Sequence, residues 1–195
     1  MAALFETPRW VVRPMRREEL PALQALFEAD PGYFVQVGGQ PPRPDEAERE
    51  FEDRPPPHLN GSAHWFCAIH DRGGRLCGVV VLDVDLGAPG VWHIALFFLD
   101  KPVRGSGAAA ELHAALEDHA RASGAEWLRL CVIEGNRGAE RFWARSGYTP
   151  LRTRHFTGAD AAVRTSVVML KPLAGATLDD YLRRVPRDAP GSPLP

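Results

Sequence analysis

At 195 residues, 45% hydrophobic and 25% charged, the chain can bury one core without disulfides or metal staples, and its composition is that of a soluble globular domain. A formal net charge of −2, with scattered basic residues that are nearly all arginine, argues against nucleic acid, and no apolar run reaches the length of a membrane span. Three cysteines, Cys67, Cys77 and Cys131, without a C-x-x-C pair, offer neither a disulfide framework nor a zinc site.

All three cysteines stand in strand-like surroundings and read as small buried thiols of a cytoplasmic protein. The segment from Met1 to Arg9 has neither a basic start nor an apolar core, so it does not read as a signal peptide. Trp10 to Pro14 reads as a first strand closed by its proline. Leu20, Leu23, Leu26 and Phe27 then share one face of a helix over 18–29. From Asp30 to Gly61 prolines cluster, which predicts a surface segment holding a short charged helix over 45–54. Tyr33 and Phe34 are its exceptions, packing inward or lining a pocket. Strands follow at 65–69 and 76–84, joined by a turn at Asp71-Arg72-Gly73-Gly74. The run from Val91 to Leu99 is almost wholly apolar and predicts a central strand covered on both faces.

Val103-Arg104-Gly105-Ser106-Gly107-Ala108-Ala109 comes next, and a helical pattern runs from Ala108 to Ala122, stopped by Gly124. Its predicted buried stripe is Ala108, Leu112, Ala115, Leu116 and His119. Strand, glycine turn and helix make an anion site: the glycines leave no side chain in the way, and the helix start presents unpaired N–H groups at its positive end. Ser106 adds a hydroxyl and Arg104 a guanidinium. The third glycine of a dinucleotide fingerprint and the lysine of a Walker loop are both missing. A strand over Trp127 to Ile133, a helix over 137–146 capped by Asn136 and ended by Gly147, and two last strands from Tyr148 and from Val163 to Leu170 complete the core. A helical turn at 179–184 and a disordered tail over 189–195 are expected after them.

Arg104, Gly107 and Ala109 read R-x-x-G-x-A, which resembles the acyl-CoA-binding signature of the GNAT superfamily of N-acetyltransferases. One strand later, Asn136, Ala139, Phe142, Trp143, Gly147 and Tyr148 read N-x-x-A-x-x-F-W-x-x-x-G-Y, similar to that family's second motif. Two motifs in order are far more specific than one. The resemblance covers roughly residues 10–173. It implies a mixed α/β fold: a single domain over 1–173, with a twisted, mostly antiparallel sheet of about seven strands, helices on both faces and a splayed parallel pair, followed by an extension over 174–195. It also implies acetyl-CoA as co-substrate, no metal, and a small-molecule amine acceptor, with pairing as a homodimer left open.

By that resemblance Phe97, Phe98 and Leu99 hold pantetheine and thioester, Arg104, Gly105, Ser106, Gly107, Ala108 and Ala109 hold pyrophosphate, and Asn136, Phe142 and Trp143 border the thiol. Trp143 is a departure. The resemblance implies a tyrosine there that protonates the departing thiolate, and an indole is no usable acid. The thiolate then leaves unprotonated, or Tyr148 or water protonates it, or the protein senses acyl-CoA without turnover. For the base, His93 stands first, with a limb expected near pH ~6–7; Asp83 and Asp85 follow, then Glu134. A core histidine and solvated carboxylates at strand ends are the bland alternatives.

Overall fold

The computed structural model describes residues 3–59, 61–173 and 175–193; Leu194 and Pro195, the end of the expected tail, lie outside the described residues. The strands are β1 (Phe5–Glu6), β2 (Trp10–Pro14), β3 (Ala63–Asp71), β4 (Leu76–Val84), β5 (Val91–Leu99), β6 (Trp127–Ile133), β7 (Thr149–Thr157) and β8 (Val163–Pro172). They form one eight-stranded sheet in the order β1-β2-β3-β4-β5-β6-β8-β7. Every pairing is antiparallel except that of β5 with β6. The strand beyond the expected seven is the two-residue edge strand β1.

The helices are α1 (Leu20–Glu28), α2 (Pro31–Gly38), α3 (Glu46–Glu52), α4 (Ala108–Ala122), α5 (Arg137–Arg145) and α6 (Leu178–Arg184). One apolar cluster joins α4 and α5 to the sheet through Leu112, Leu116 and Trp143 against Val80, Leu82, Ile94 and Leu130. A second joins α1 to α3, through Leu23, Phe27 and Ala47, to Phe66, Val79, Val81 and Phe98. A third seats α6 through Tyr181 and Val185 on Val91, Trp127 and Leu170.

The proline-bounded segment over 30–61 is more ordered than its composition suggests. Pro31 occupies the first turn of α2, where its missing N–H would be unsatisfied in any case, and Gly39 ends the helix at φ +91°. α2 turns Phe34 against Phe27 and Phe98, so the aromatic pair serves both expected uses: Phe34 packs inward and Tyr33 lines cavities. In α4, Ala108, Leu112 and Leu116 are buried as expected, but His113 and Ala120 complete the stripe; Ala115 and His119 lie at its margin.

β5 corrects a second expectation. It pairs with β6 only from Val91–Trp127 to Ile94–Leu130. On the β4 side the register jumps from Leu82–Ile94 to Val81–Leu96, leaving Ala95 as a bulge. Past the bulge the two parallel strands separate. Ala95 is exposed and Leu96 and Phe97 are half-buried, so this half of the strand is not covered on both faces. Cys131, on the facing stretch of β6, is exposed rather than buried, because the missing pairing opens its side.

Candidate functional site

The separation of β5 from β6 opens a cavity of about 310 Å³, lined by Ile94 to Phe97, Leu130 to Ile133, Asn136, Trp143 and Tyr33 among others. A second cavity of about 580 Å³ shares Tyr33, Phe97, Ala139 and Trp143 with it and reaches Phe98, Leu99, Arg104, Gly105, Ala109, Arg141, Phe142 and Arg145. A third, of about 450 Å³, shares Ala95, Leu96 and Cys131 with the first and reaches Glu50, His64, Asp83, His93, Arg129, Arg154 and Arg187. The first cavity shares lining residues with each of the other two, so the splay lies between two mouths.

Backbone chemistry sets the first mouth. Asp100 N–H donates to Cys77 O at 2.8 Å, fixing its direction toward β4. Strand alternation then points the N–H and C=O groups of Phe97 and Leu99 the other way, into the splay. Beyond, Gly105 and Gly107 take φ of +77° and +81°, which only glycine adopts without strain. Among the described residues the N–H groups of Gly105 to Ala110 donate to no backbone carbonyl. Six successive free donors at the start of a 15-residue helix form an anion cradle. A Cβ built on Gly105 meets nothing within 4 Å, so the cradle is open. Ser106 Oγ donates to Val103 O at 2.7 Å and so braces the turn, and Ala108 is buried behind it. The cradle, the exposed backbone edge and the apolar wall of Phe97, Phe142 and Trp143 fit an acyl-CoA's pyrophosphate, pantetheine and thioester.

The Arg104 guanidinium is not free for phosphate, as its motif position suggests. It is paired with Asp30 at 2.6 Å, its Nε donates to Leu99 O at 2.7 Å, and it stacks on Phe98 at 5.1 Å. Burial opposes the charge on Asp30, but Lys101 at 3.1 Å and Arg104 hold it below the usual carboxylate range. Arg104 therefore braces the loop against α2, and the positive charge in that cavity comes from Arg141 and Arg145. Asn136 Oδ1 caps α5 by accepting from Ala139 N–H at 3.2 Å. Tyr148 lines none of these three cavities; its hydroxyl meets His113 Nε2 at 3.0 Å in the core.

The second mouth collects the titratable groups. His93 lines it, but burial, then the Arg129 guanidinium, push it down to about 3. Its Nδ1 lies 3.1 Å from Arg129 Nη1 and 3.2 Å from Arg129 O. The limb expected of His93 at pH ~6–7 has no source in such a ring. Asp83 is buried and accepts from His64 Nδ1 at 2.6 Å; His64 Nε2 is buried without a partner. Asp85, at φ +59°, accepts from Gly90 N–H at 2.7 Å and Ser62 Oγ at 2.6 Å and holds the turn. Glu134 is exposed, and neither Asp85 nor Glu134 lines these cavities.

Two lining groups escape a reading of the sequence. Glu50 lies in a helix that reads as a solvated charged face, yet burial, then Glu46 and Asp53, raise it to about 7 beside Ala95 and Leu96. Tyr33 is the tyrosine that lines both the splay and the loop-side cavity, and burial keeps its hydroxyl protonated. Only the E-x-x-x-E-x-x-D spacing of Glu46, Glu50 and Asp53 could have hinted at the first. Among the described residues no group of three or more His, Cys, Asp or Glu could hold a metal ion, and no helix is long and apolar enough to cross a membrane.

The sequence matches the model of the acetyltransferase (GNAT) family over residues 20–148. Among solved structures, an acetyl transferase from Salmonella typhimurium that modifies the N-terminal serine of a 50S ribosomal subunit protein superposes with a TM-score of 0.69 at 15% identity, covering 86% of this chain and 97% of that one. Spermidine N-acetyltransferase from Vibrio cholerae, in complex with CoA and spermine, gives 0.65 at 16% identity over 85% and 96%. An acetyltransferase from Thermus thermophilus gives 0.63 at 19% over 84% and 97%. At such identities the likeness is one of fold. No curated protein matches the sequence.

Proposed function

The chain belongs to the acetyltransferase (GNAT) family, and from that premise we propose that it transfers an acetyl group from acetyl-CoA to the primary amine of a small acceptor, by direct attack in a ternary complex. The observation that carries the reading is the arrangement of the cavities: a loop-side mouth with free N–H donors and a second mouth with carboxylates each share lining residues with the cavity at the splay of β5 and β6. Acetyl-CoA supplies the activated acyl group. The chain's residues do the rest. Gly105 to Ala110 hold the pyrophosphate through their amides, and the N–H groups of Phe97 and Leu99 hold pantetheine and face the thioester oxygen, where negative charge grows. Trp143 and Tyr33, which line both cavities, are the donors assigned to the departing sulfur, whose thiol pKa of about 8.5 makes it a fair leaving group without a full proton.

The amine must lose a proton, and we assign its acceptance to Glu50, directly or through one water. A carboxyl at about 7 is half-ionised at neutral pH and takes a proton far better than an ordinary glutamate. Asp83 acts through His64, orienting the ring, and His93 through Arg129, as a neutral wall. The test is thiol release from acetyl-CoA over a panel of amines, with its pH profile. The rate is expected to rise with pH through a limb near 7, which Glu50→Gln abolishes with roughly 10²-fold loss of turnover and unchanged CoA affinity by calorimetry. CoA binding with no thiol released by any amine would favour a sensing module, and absence of CoA binding at millimolar concentration would end both readings.

A further inference from the structure

The cavity at the second mouth carries both signs of charge. Glu50, Asp53, Arg54 and the Asp83–His64 pair line it together with Arg129, Arg154 and Arg187, and the Arg54 guanidinium is engaged by Phe51 O and Asp53 O. Asp188 is the carboxylate that Arg129 and Arg154 share. It is fully buried and accepts from Arg129 Nε at 2.7 Å, Arg129 Nη2 at 3.3 Å, Arg154 Nη2 at 2.8 Å and the Tyr181 hydroxyl at 2.5 Å. Arg129 and Arg154 are thereby satisfied by one negative charge between them. The Arg187 guanidinium has no hydrogen bond or ion pair among the described residues, and the Nε atoms of Arg154 and Arg187 are buried without an acceptor. Burial, then the neighbouring Arg154 and Arg129, press Arg187 below the usual arginine range, against the opposing pull of Asp188.

Arg154 and Arg187 line the cavity, and an arginine fork matches planar or tetrahedral oxyanions. We propose that the Arg154–Arg187 wall is an anion subsite, and that the acceptor is a small amine carrying a carboxylate or phosphonate, with its nitrogen toward Ala95 and Leu96. This rests on the acetyl-transfer reading for the amine's fate, not for the anion's binding. The cavity, about 450 Å³, suits a molecule of amino-acid size. A polyamine, with positive charge at every nitrogen, meets repulsion at the arginine wall.

Thiol release at saturating acetyl-CoA is to be compared for free L-amino acids, their α-carboxamides, 2-aminoethylphosphonate and spermidine, and calorimetry of the CoA-bound protein repeated with the same probes. The expected result is a kcat/KM at least tenfold higher for an anion-bearing amine than for its amide or spermidine. Arg187→Gln is expected to raise the KM for that acceptor at least tenfold, leave the KM for acetyl-CoA as it was, and collapse the preference for acid over amide; Arg187→Lys restores part of it. Preference for amino acids over the phosphonate assigns a carboxylate, and the reverse assigns a phosphonate. Amides or spermidine used as well as the free acids, or an unchanged acceptor KM in Arg187→Gln, overturns the subsite while acetyl transfer stands. Tenfold tighter binding of an acid than of its amide, with no thiol released by any amine, sustains the subsite and removes the transfer reading. No binding preference and no turnover removes both.

Discussion

Glu50 is charged only at a cost. Its folded value of about 7 lies above the ordinary 4.5, so between those limits the folded protein holds a proton that the unfolded chain has lost. Its contribution to stability is therefore complete below pH 4.5 and disappears as pH rises through 7. Glu50→Gln removes that loss: urea unfolding at pH 8 is expected to show a gain of at most about 3 kcal/mol, and none at pH 4. Such a cost fits the proposed role of Glu50 as a base. His93→Gln makes the complementary prediction. Because His93 sits far below neutrality, its replacement should leave the limb near pH 7 in place. Gly107 acts through its backbone. At φ +81° a valine is strained, and its side chain enters the cradle, so CoA affinity should fall at least tenfold, about 1.4 kcal/mol by calorimetry.

Elements differed in how plainly they could be read. β5, α4 and β6 have the bounds their apolar runs and stop signals indicate, because the ends of an element are set by local chemistry even where its burial is not. The glycine turn and the Asn136 cap were equally plain, since glycine angles and capping are local chemistry. The partners were not. Nothing near Arg104 in the sequence announces Asp30, and nothing near Arg129 announces Asp188; both pairings come from elements that meet only in the fold. The same holds for Glu50, whose helix reads as solvated until its neighbours cover it. The segment carrying α6 and Asp188 is the hardest case, for it contributes charge and wall to a cavity built mainly from earlier strands. Asp188→Ala leaves Arg129 buried beside an empty place, and equilibrium unfolding should show a loss of about 3–5 kcal/mol.

Across the whole molecule, two apolar clusters grip opposite faces of the sheet, while the cleft runs between strands that neither cluster closes. A ligand that binds only the folded chain stabilises all of it. Acetyl-CoA at a hundred times its dissociation constant should add about 2.7 kcal/mol, seen in a thermal melt as a rise of roughly 5–10 °C for a chain of this size. The family match ends at residue 148, while Arg154, Arg187 and Asp188 lie beyond it. The proposed acceptor subsite is therefore separate in sequence from the loop proposed to hold the acyl donor.

The bulge at Ala95 interrupts the alternation of side chains along β5. Ile94 belongs with the α4 side, Leu96 with the α1 side, Phe97 with the α4 side and Phe98 with the α1 side. Remove Ala95 from that series and strict alternation is restored, with every remaining side chain on the face it already occupies. The shortened strand could keep its partnership with β4 unbroken and run on beside β6 past Leu130. Such a deletion should fold, melt no lower than the parent and bind no CoA. The opening on which the proposed chemistry depends is thus an insertion one residue long.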